Sequence, residues 1–181
     1  TKLSNAETKN EFIFRRLNEI LVEGNKVDLL AMGRPEGPGC YCAVNHFLRD
    51  FLSKISRQYR VLVMDTEAGM EHLSRRTTDD LDILFIVATA DPASLVASFR
   101  IQEIAEKLKL KIKHKYLILN RVNSEKIPLE KIKERNLNFS GAIPEDKEVI
   151  SFWKESKPLL ALSHSVAYES LSKLLDSLLK I

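Results

Sequence analysis

The sequence predicts an α/β fold with three layers around a mainly parallel sheet, and two observations indicate it. Short apolar runs, such as Ile83 to Ala88, alternate along the chain with longer amphipathic stretches. Apolar residues at successive positions are typical of strands that are buried on both faces, and helical crossovers join strands that run in parallel. We therefore expect helices on both faces of one central sheet.

The predicted elements follow one another in a regular order. A first helix covers residues 8–23, where apolar residues recur at helical spacing before Gly24. The predicted strands are Val27 to Met32, Val61 to Met64, Ile83 to Ala88, Tyr116 to Leu119 and Phe139 to Ile143, and the further helices are 42–58, 69–80, 93–110, 128–135 and 164–180. With 181 residues and no long linker, residues 1–181 are expected to form a single domain.

The composition excludes several classes of function. Lys and Arg (28) nearly balance Asp and Glu (25), and no basic block stands out, so neither nucleic acid nor a membrane surface is an expected partner. The apolar runs stop far short of the ~20 residues that a membrane-spanning helix needs. The two cysteines are separated by one residue and would close a cramped ring if oxidised, so we expect a reducing cytoplasm.

Polar residues follow four of the predicted strands, at the edge where parallel sheets bind ligands. The first group is the loop from Gly33 to Cys42, in which three glycines precede Cys40 and Cys42. Two thiolates at i and i+2 can bind one soft metal ion such as zinc or copper(I), and the same pair from a second copy would complete a tetrahedral shell. His46 could add a ligand or be an ordinary helix residue, and the cysteines could be small packing residues.

The second group begins at Asp65, which follows the apolar run Val61 to Met64. An acid in this place can hold Mg²⁺, often through water, or orient an attacking water, which makes Asp65 the candidate catalytic residue. Residues 70–79 are dense in charged and hydrogen-bonding side chains, and for any one of them a solvated helix face is the plainer explanation.

The third and fourth groups are Asn120 with Arg121, and Pro144 with Glu145 and Asp146. The carboxamide of Asn120 offers a donor and an acceptor that match the N6/N7 edge of adenine, and Arg121 could stack on the base. A strand-end turn is the alternative for Asn120. Pro144 ends a strand, and the two acids after it suit the first turn of a helix, where they could serve only as caps.

Taken in order, these segments resemble the deviant P-loop ATPases of the MinD/ParA group and, within it, the CooC-type maturation ATPases of nickel carbon monoxide dehydrogenase. The resemblance covers nearly the whole chain from about residue 27. It rests on four segments: Met32-Gly33 with Gly39-Cys40-Tyr41-Cys42, Val63 to Leu73, Asn120-Arg121-Val122, and Gly141-Ala142-Ile143-Pro144.

The resemblance implies a P-loop NTPase-like fold and ATP-dependent insertion of nickel into carbon monoxide dehydrogenase, which would be the client partner. Ni²⁺ or Zn²⁺ would bind Cys40 and Cys42 at a homodimer interface. ATP or ADP with Mg²⁺ would be the cofactor, with Asp65 as the switch or Walker B aspartate. The adenine contacts would be Asn120 and the segment around Pro144, to which Arg121 and Asp146 are added as neighbours.

One departure from that family is large, because the sequence contains no Gly-x-x-x-x-Gly-Lys-[Ser/Thr] phosphate loop. We therefore expect the chain to be the carboxyl-terminal two-thirds of a longer ATPase domain, incomplete at its N-terminus. In the family the missing strand would lie between those that end at Ala88 and Asp65. Alone, the chain should not hydrolyse ATP. The alternatives are an inactive regulator or scaffold and a MinD/ParA-like positioning ATPase.

Overall fold

The computed structural model describes residues 8–31, 42–66, 80–123 and 127–179. The chain divides into two units, residues 1–78 and residues 79–181. Each unit has a hydrophobic core of its own. The single domain expected from the chain length stays a prediction.

The first unit contains two helices and a short antiparallel ladder. Its elements are α1 (Lys9–Ile20), β1 (Leu21–Val22), β2 (Leu29–Leu30), α2 (Cys42–Ile55) and a 3-10 turn (Ser56–Gln58). A capping box starts α1, because the Thr8 side chain accepts from the Glu11 N–H while the Glu11 carboxylate accepts from the Thr8 N–H. The Gly24 N–H donates to the Asp28 carboxylate at 2.9 Å inside the loop that joins β1 to β2.

Two strands predicted for this unit differ in the structure. The run from Val27 to Met32 yields only β2, which pairs antiparallel with β1 instead of joining a parallel sheet. Residues 61–66 form no strand, and Val63 is 85% exposed. A strand exists only when a neighbour takes its backbone hydrogen bonds, and among the described residues none pairs with this segment.

The second unit is built on a parallel three-stranded sheet in the order β3, β4, β5. Its elements are β3 (Asp80–Ala88), α3 (Pro92–Lys107), β4 (Lys111–Val122), α4 (Leu129–Glu134), β5 (Phe139–Pro144), α5 (Lys147–Lys154), a 3-10 turn (Leu159–Ala161) and α6 (Val166–Leu179). The prediction of an α/β fold with a parallel sheet is confirmed. Helix α5 follows Glu145 and Asp146, where the sequence suggested the first turn of a helix, and β3 and β4 are longer than their apolar runs.

The two faces of this sheet pack against different helices. Ile86, Leu117 and Leu119 lie on one face and share a core with Leu95 of α3 and Ile132 of α4. Gly141 pairs with Ile118, so by alternation it lies on the opposite face, where its Cα approaches Leu174 of α6. Helices therefore cover both faces, which agrees with the predicted layers. None of the helices in the described ranges is both long and apolar enough to cross a membrane.

Gly141 should not tolerate a side chain, because an added Cβ would overlap a methyl group of Leu174. We expect Gly141→Ala to lower the free energy of unfolding by about 1 to 3 kcal/mol through overpacking. Combining it with Leu174→Ala should cost less than the sum of the two single changes, since the second removes the overlap. Urea denaturation measures all three variants.

Ser140 provides the matched control on the same strand. Its hydroxyl is buried and has no hydrogen-bond partner among the described residues, so Ser140→Ala should be neutral or stabilising. Equal destabilisation by Gly141→Ala and Ser140→Ala would show that β5 is sensitive to any change, and would contradict the specific contact with Leu174.

Candidate functional site

The carboxyl ends of β4 and β5 meet in an irregular pair that carries the candidate site. Leu119 pairs with Ala142, and the next pair is Val122 with Pro144, so β4 contains one residue more than β5 over this stretch. The result is a bulge at Asn120 and Arg121. Bulges of this kind bend a strand and redirect side chains, and they are common beside active sites.

Arg121 adopts a backbone conformation that is unusual for a residue with a side chain. Its φ is 56°, in the left-handed region, and the Asn120 side-chain oxygen accepts from the Arg121 N–H at 2.9 Å. That bond satisfies a donor that the bulge removes from the sheet. Asn120 thus lies in a bulge within β4, which continues to Val122, and not in the strand-end turn that was the alternative. The Asn120 NH₂ group has no hydrogen-bond partner among the described residues, so it can donate to a ligand.

The Arg121 side chain crosses from β4 to the segment after β5. Its Nη2 lies 3.4 Å from Glu145 Oε1, and the Glu145 N–H donates to the Val122 carbonyl at 3.2 Å. The side chain of Arg121 is 67% exposed and that of Glu145 is 28% exposed, so the pair is open to solvent on the arginine side. An exposed pair contributes little stability, but it holds the planar guanidinium over this edge of the sheet.

Asp146 joins the N-termini of two helices. It is the N-cap of α5, with Oδ1 accepting from the Glu148 N–H at 2.8 Å, while Oδ2 accepts from the Ala167 N–H at 2.9 Å in the first turn of α6. These bonds, first of all the one from Ala167, lower the pKa of the Asp146 carboxyl. The capping alternative is thus present, and its role toward a nucleotide stays a prediction. Pro144 ends β5 as predicted.

The end of β3 contributes a third polar group that sequence reasoning missed. Asp91 caps α3 by accepting from the Ser94 N–H at 2.9 Å, and the Thr89 hydroxyl donates to the same carboxylate. The bond from Thr89 is the main reason why the Asp91 pKa is lowered. Asp followed by Pro92 at the first helical position is a helix-start signal that the sequence offered. Because the strands are parallel, this group lies at the same edge as Asn120.

The remaining predicted site residues belong to the first unit. Asp65 is exposed in the segment 61–66. Cys40 lies outside the described residues; Cys42 begins α2, but its side chain and that of His46 are not described. Among the side chains that the structure does describe, no group of three or more His, Cys, Asp or Glu is placed to hold a metal ion.

The site can bind a planar, hydrogen-bonding group better than a free cation. The Asp146 and Asp91 carboxylates are already occupied by backbone N–H groups or a hydroxyl, and Glu145 faces Arg121. What remains open is the amide NH₂ of Asn120 and the exposed side of the Arg121 guanidinium. An amide donor and a flat cation suit a heterocyclic base, since one recognises a ring acceptor and the other stacks on the ring face.

Removing the shared cap should weaken the second unit. We expect Asp146→Ala to lower the free energy of unfolding by about 2 kcal/mol, since one capping side chain is worth about 1 kcal/mol and Asp146 serves two helix N-termini. Asp176→Ala, an exposed aspartate on α6, is the control and should change stability little. Chemical denaturation with both variants checks this, and equal losses would contradict it.

The contribution of Asp146 should also depend on pH in one direction. Because its pKa is lower in the folded chain than in the unfolded one, its stabilising effect is complete above the unfolded value, near 4, and is lost as the pH falls through the folded value. The difference in unfolding free energy between wild type and Asp146→Asn should therefore shrink below about pH 4. A difference that stays constant from pH 7 to pH 3 would contradict a stabilising contribution from the Asp146 charge.

The chain is similar in sequence to curated proteins, although no protein-family model matches it. It is 37% identical to the uncharacterized ATP-binding protein MJ0685 of Methanocaldococcus jannaschii over 175 residues, which are 95% of this chain and 69% of that protein. Identity to MJ0084, an uncharacterized ATP-binding protein of the same organism, is 36%, over 73% of this chain and 53% of that protein. The chain thus spans about half to two-thirds of these relatives.

A more distant relative carries a specific name. The carbon monoxide dehydrogenase accessory protein CooC of Rhodospirillum rubrum is 31% identical over 96 residues, which cover 51% of this chain and 36% of that protein. This similarity supports the wider group, but it extends over too little of either protein to show that the chain is a CooC.

Solved structures agree with the fold. The MinD cell division protein of Aquifex aeolicus matches with a TM-score of 0.69 and 16% identity, over 91% of this chain and 70% of that one. The ParA family ATPase of Chlorobium tepidum matches with a TM-score of 0.67 and 19% identity, over 90% and 67%. The fold is therefore that of the MinD/ParA P-loop ATPases, and by sequence the chain belongs to the family of MJ0685.

Proposed function

We propose that this chain is part of an ATP-dependent metallochaperone of the MinD/ParA group that inserts nickel into carbon monoxide dehydrogenase in the cytoplasm. One observation carries the nucleotide half of the proposal. At the carboxyl edge of the sheet, the bulge leaves the Asn120 NH₂ group without a partner among the described residues, and the Arg121 guanidinium is exposed. The ATP-binding relatives support a nucleotide as the ligand.

In this proposal the base lies over the ends of β4 and β5. Asn120 donates to a ring acceptor, Arg121 stacks on the base, and the segment Pro144 to Asp146 closes one side. Asp146 acts through its caps by holding α5 and α6 in place. Bound Mg²⁺ would neutralise phosphate charge, and Asp65 is the acid proposed to hold it.

The phosphates need a loop that this sequence does not contain, so the chain alone should not hydrolyse ATP. One feature of the sheet is consistent with a further strand. β3 has half-buried or buried residues on both faces between Ile83 and Ile86, as central strands do, yet among the described residues it pairs only with β4. An unpaired edge of this kind accepts another strand.

The metal half of the proposal rests on Cys40 and Cys42 and on the CooC relative. Two thiolates from each of two chains make a four-coordinate soft site at a homodimer interface. Nickel and zinc both accept such ligands. The metal is the cargo, and carbon monoxide dehydrogenase is the proposed client that receives it.

Replacing Asn120 tests the nucleotide half. We expect Asn120→Ala to weaken binding of ADP about tenfold, because one hydrogen bond to the base contributes about 1 to 1.5 kcal/mol. Asn138→Ala is the matched control, since Asn138 is exposed and only its backbone carbonyl is used, accepting from the Leu117 N–H. Calorimetric titration measures both. If the two variants bind ADP as wild type does, Asn120 is not a base contact.

Replacing both cysteines tests the metal half separately. Under reducing conditions, equilibrium dialysis with Ni²⁺ or Zn²⁺ should show one ion bound per two chains, and Cys40→Ser with Cys42→Ser should abolish it. His164→Ala, which removes an exposed histidine in the second unit, should leave uptake unchanged. Uptake that survives loss of both thiols would rule out the proposed site.

A further inference from the structure

We propose that Glu145 is a positioning residue for the proposed base site, because its carboxylate holds the Arg121 guanidinium in the orientation that stacks on the base. The inference rests on the proposed function, in which Arg121 lies against the ring. It adds a residue that acts on the nucleotide only through Arg121. Two independent observations support it: the backbone conformation of Arg121 and the anchoring of Glu145.

The left-handed backbone of Arg121 differs from the other cases in this structure. Among the described residues, the ones other than glycine that have a positive φ, between 52° and 56°, are Lys109, Arg121, Asn136 and Ser156. Three of them directly follow the residue that caps a helix C-terminus, where this conformation is common. Arg121 instead lies inside the paired part of β4, between the Leu119–Ala142 pair and the Val122–Pro144 pair.

A glycine would adopt this conformation without steric cost, so the arginine indicates a role for its side chain. Residues with a strained backbone occur where the surrounding structure holds them, and they are common at ligand sites. At Arg121 the surrounding bonds are the one from its N–H to the Asn120 side-chain oxygen and the ion pair with Glu145. The strained position thus carries the guanidinium that is proposed to meet the base.

Glu145 is the better anchored member of the ion pair. It lies between Pro144, the last residue of β5, and Asp146, the N-cap of α5, and its N–H donates to the Val122 carbonyl at 3.2 Å. Its side chain is 28% exposed, against 67% for Arg121. The carboxylate therefore restricts the longer arginine side chain, through the contact of 3.4 Å between Nη2 and Oε1.

The ion pair and the stacking contact use different parts of the guanidinium. Its N–H groups lie in the plane of the group, so a carboxylate binds at the edge while a base stacks on the face. The pair with Glu145 leaves that face open. An arginine that is already oriented loses less rotamer freedom on binding, so Glu145 should raise the affinity for the base although an exposed pair contributes little to folding.

A double-mutant cycle, measured by calorimetric titration with ADP, tests the inference. Arg121→Gly removes the guanidinium and permits the left-handed backbone, and it should weaken binding about fivefold. Glu145→Gln should weaken binding about threefold in the wild-type chain and have no effect in the Arg121→Gly chain, since Glu145 acts through Arg121. The urea midpoint of Glu145→Gln should stay at the wild-type value, which separates positioning of Arg121 from damage to the fold.

Two matched controls accompany the cycle. Lys109→Gly makes the same change at a left-handed residue after α3, and Glu134→Gln removes the charge of an exposed carboxylate on α4, so both should bind ADP as wild type does.

The outcomes separate this inference from the proposed function. A loss that Glu145→Gln causes equally in the wild-type and Arg121→Gly chains overturns the inference, because Glu145 then acts independently of Arg121. Wild-type binding by Glu145→Gln, with binding weakened in Asn120→Ala, also overturns it but leaves the proposed base site standing. If the wild-type chain does not bind ADP, or if none of these three substitutions changes its binding, the base site itself is wrong.

Discussion

The parallel pairing of β4 with both β3 and β5 is the interaction on which the second unit depends. Leu117 and Leu119 are fully buried in the middle of this sheet. The register of β3 and that of β5 are both set by their pairing with β4. Three parallel strands necessarily bring their carboxyl ends to one edge, so the polar residues that follow them are gathered there. The candidate site is therefore a consequence of the sheet, and its residues come from three separate stretches of chain.

At that edge, the need to satisfy backbone donors competes with ligand binding. Asp146 and Asp91 have the acidic side chains that would attract a cation, but their oxygens are used to cap helices. The side-chain oxygen of Asn120 also accepts a hydrogen bond from the Arg121 N–H, which the bulge has released from the sheet. What is left for a ligand is the amide NH₂ of Asn120 and the arginine plane. This division favours the proposed base over a bare metal ion as the ligand at this edge.

The segment after β5 begins at the candidate site and leads away from it. Asp146 fixes the start of α5 beside the candidate base site, and the other end of the same helix carries Trp153. One short helix of eight residues thus has its capped N-terminus at the candidate site and an exposed tryptophan near its other end.

The sequence by itself determined the strand whose residues are apolar at every position from Ile83 to Ala88, because burial on both faces accounts for that pattern. It also located Asn120, Pro144 and Asp146 at strand ends. The tertiary structure alone decided three things. β4 extends back to Lys111, since its backbone pairs with β3 from Asp80 onward. Residues 61–66 form no strand, because a strand needs a neighbour. Asp146 acts as a cap for Ala167, 21 residues away, since such a bond depends on packing and not on local sequence.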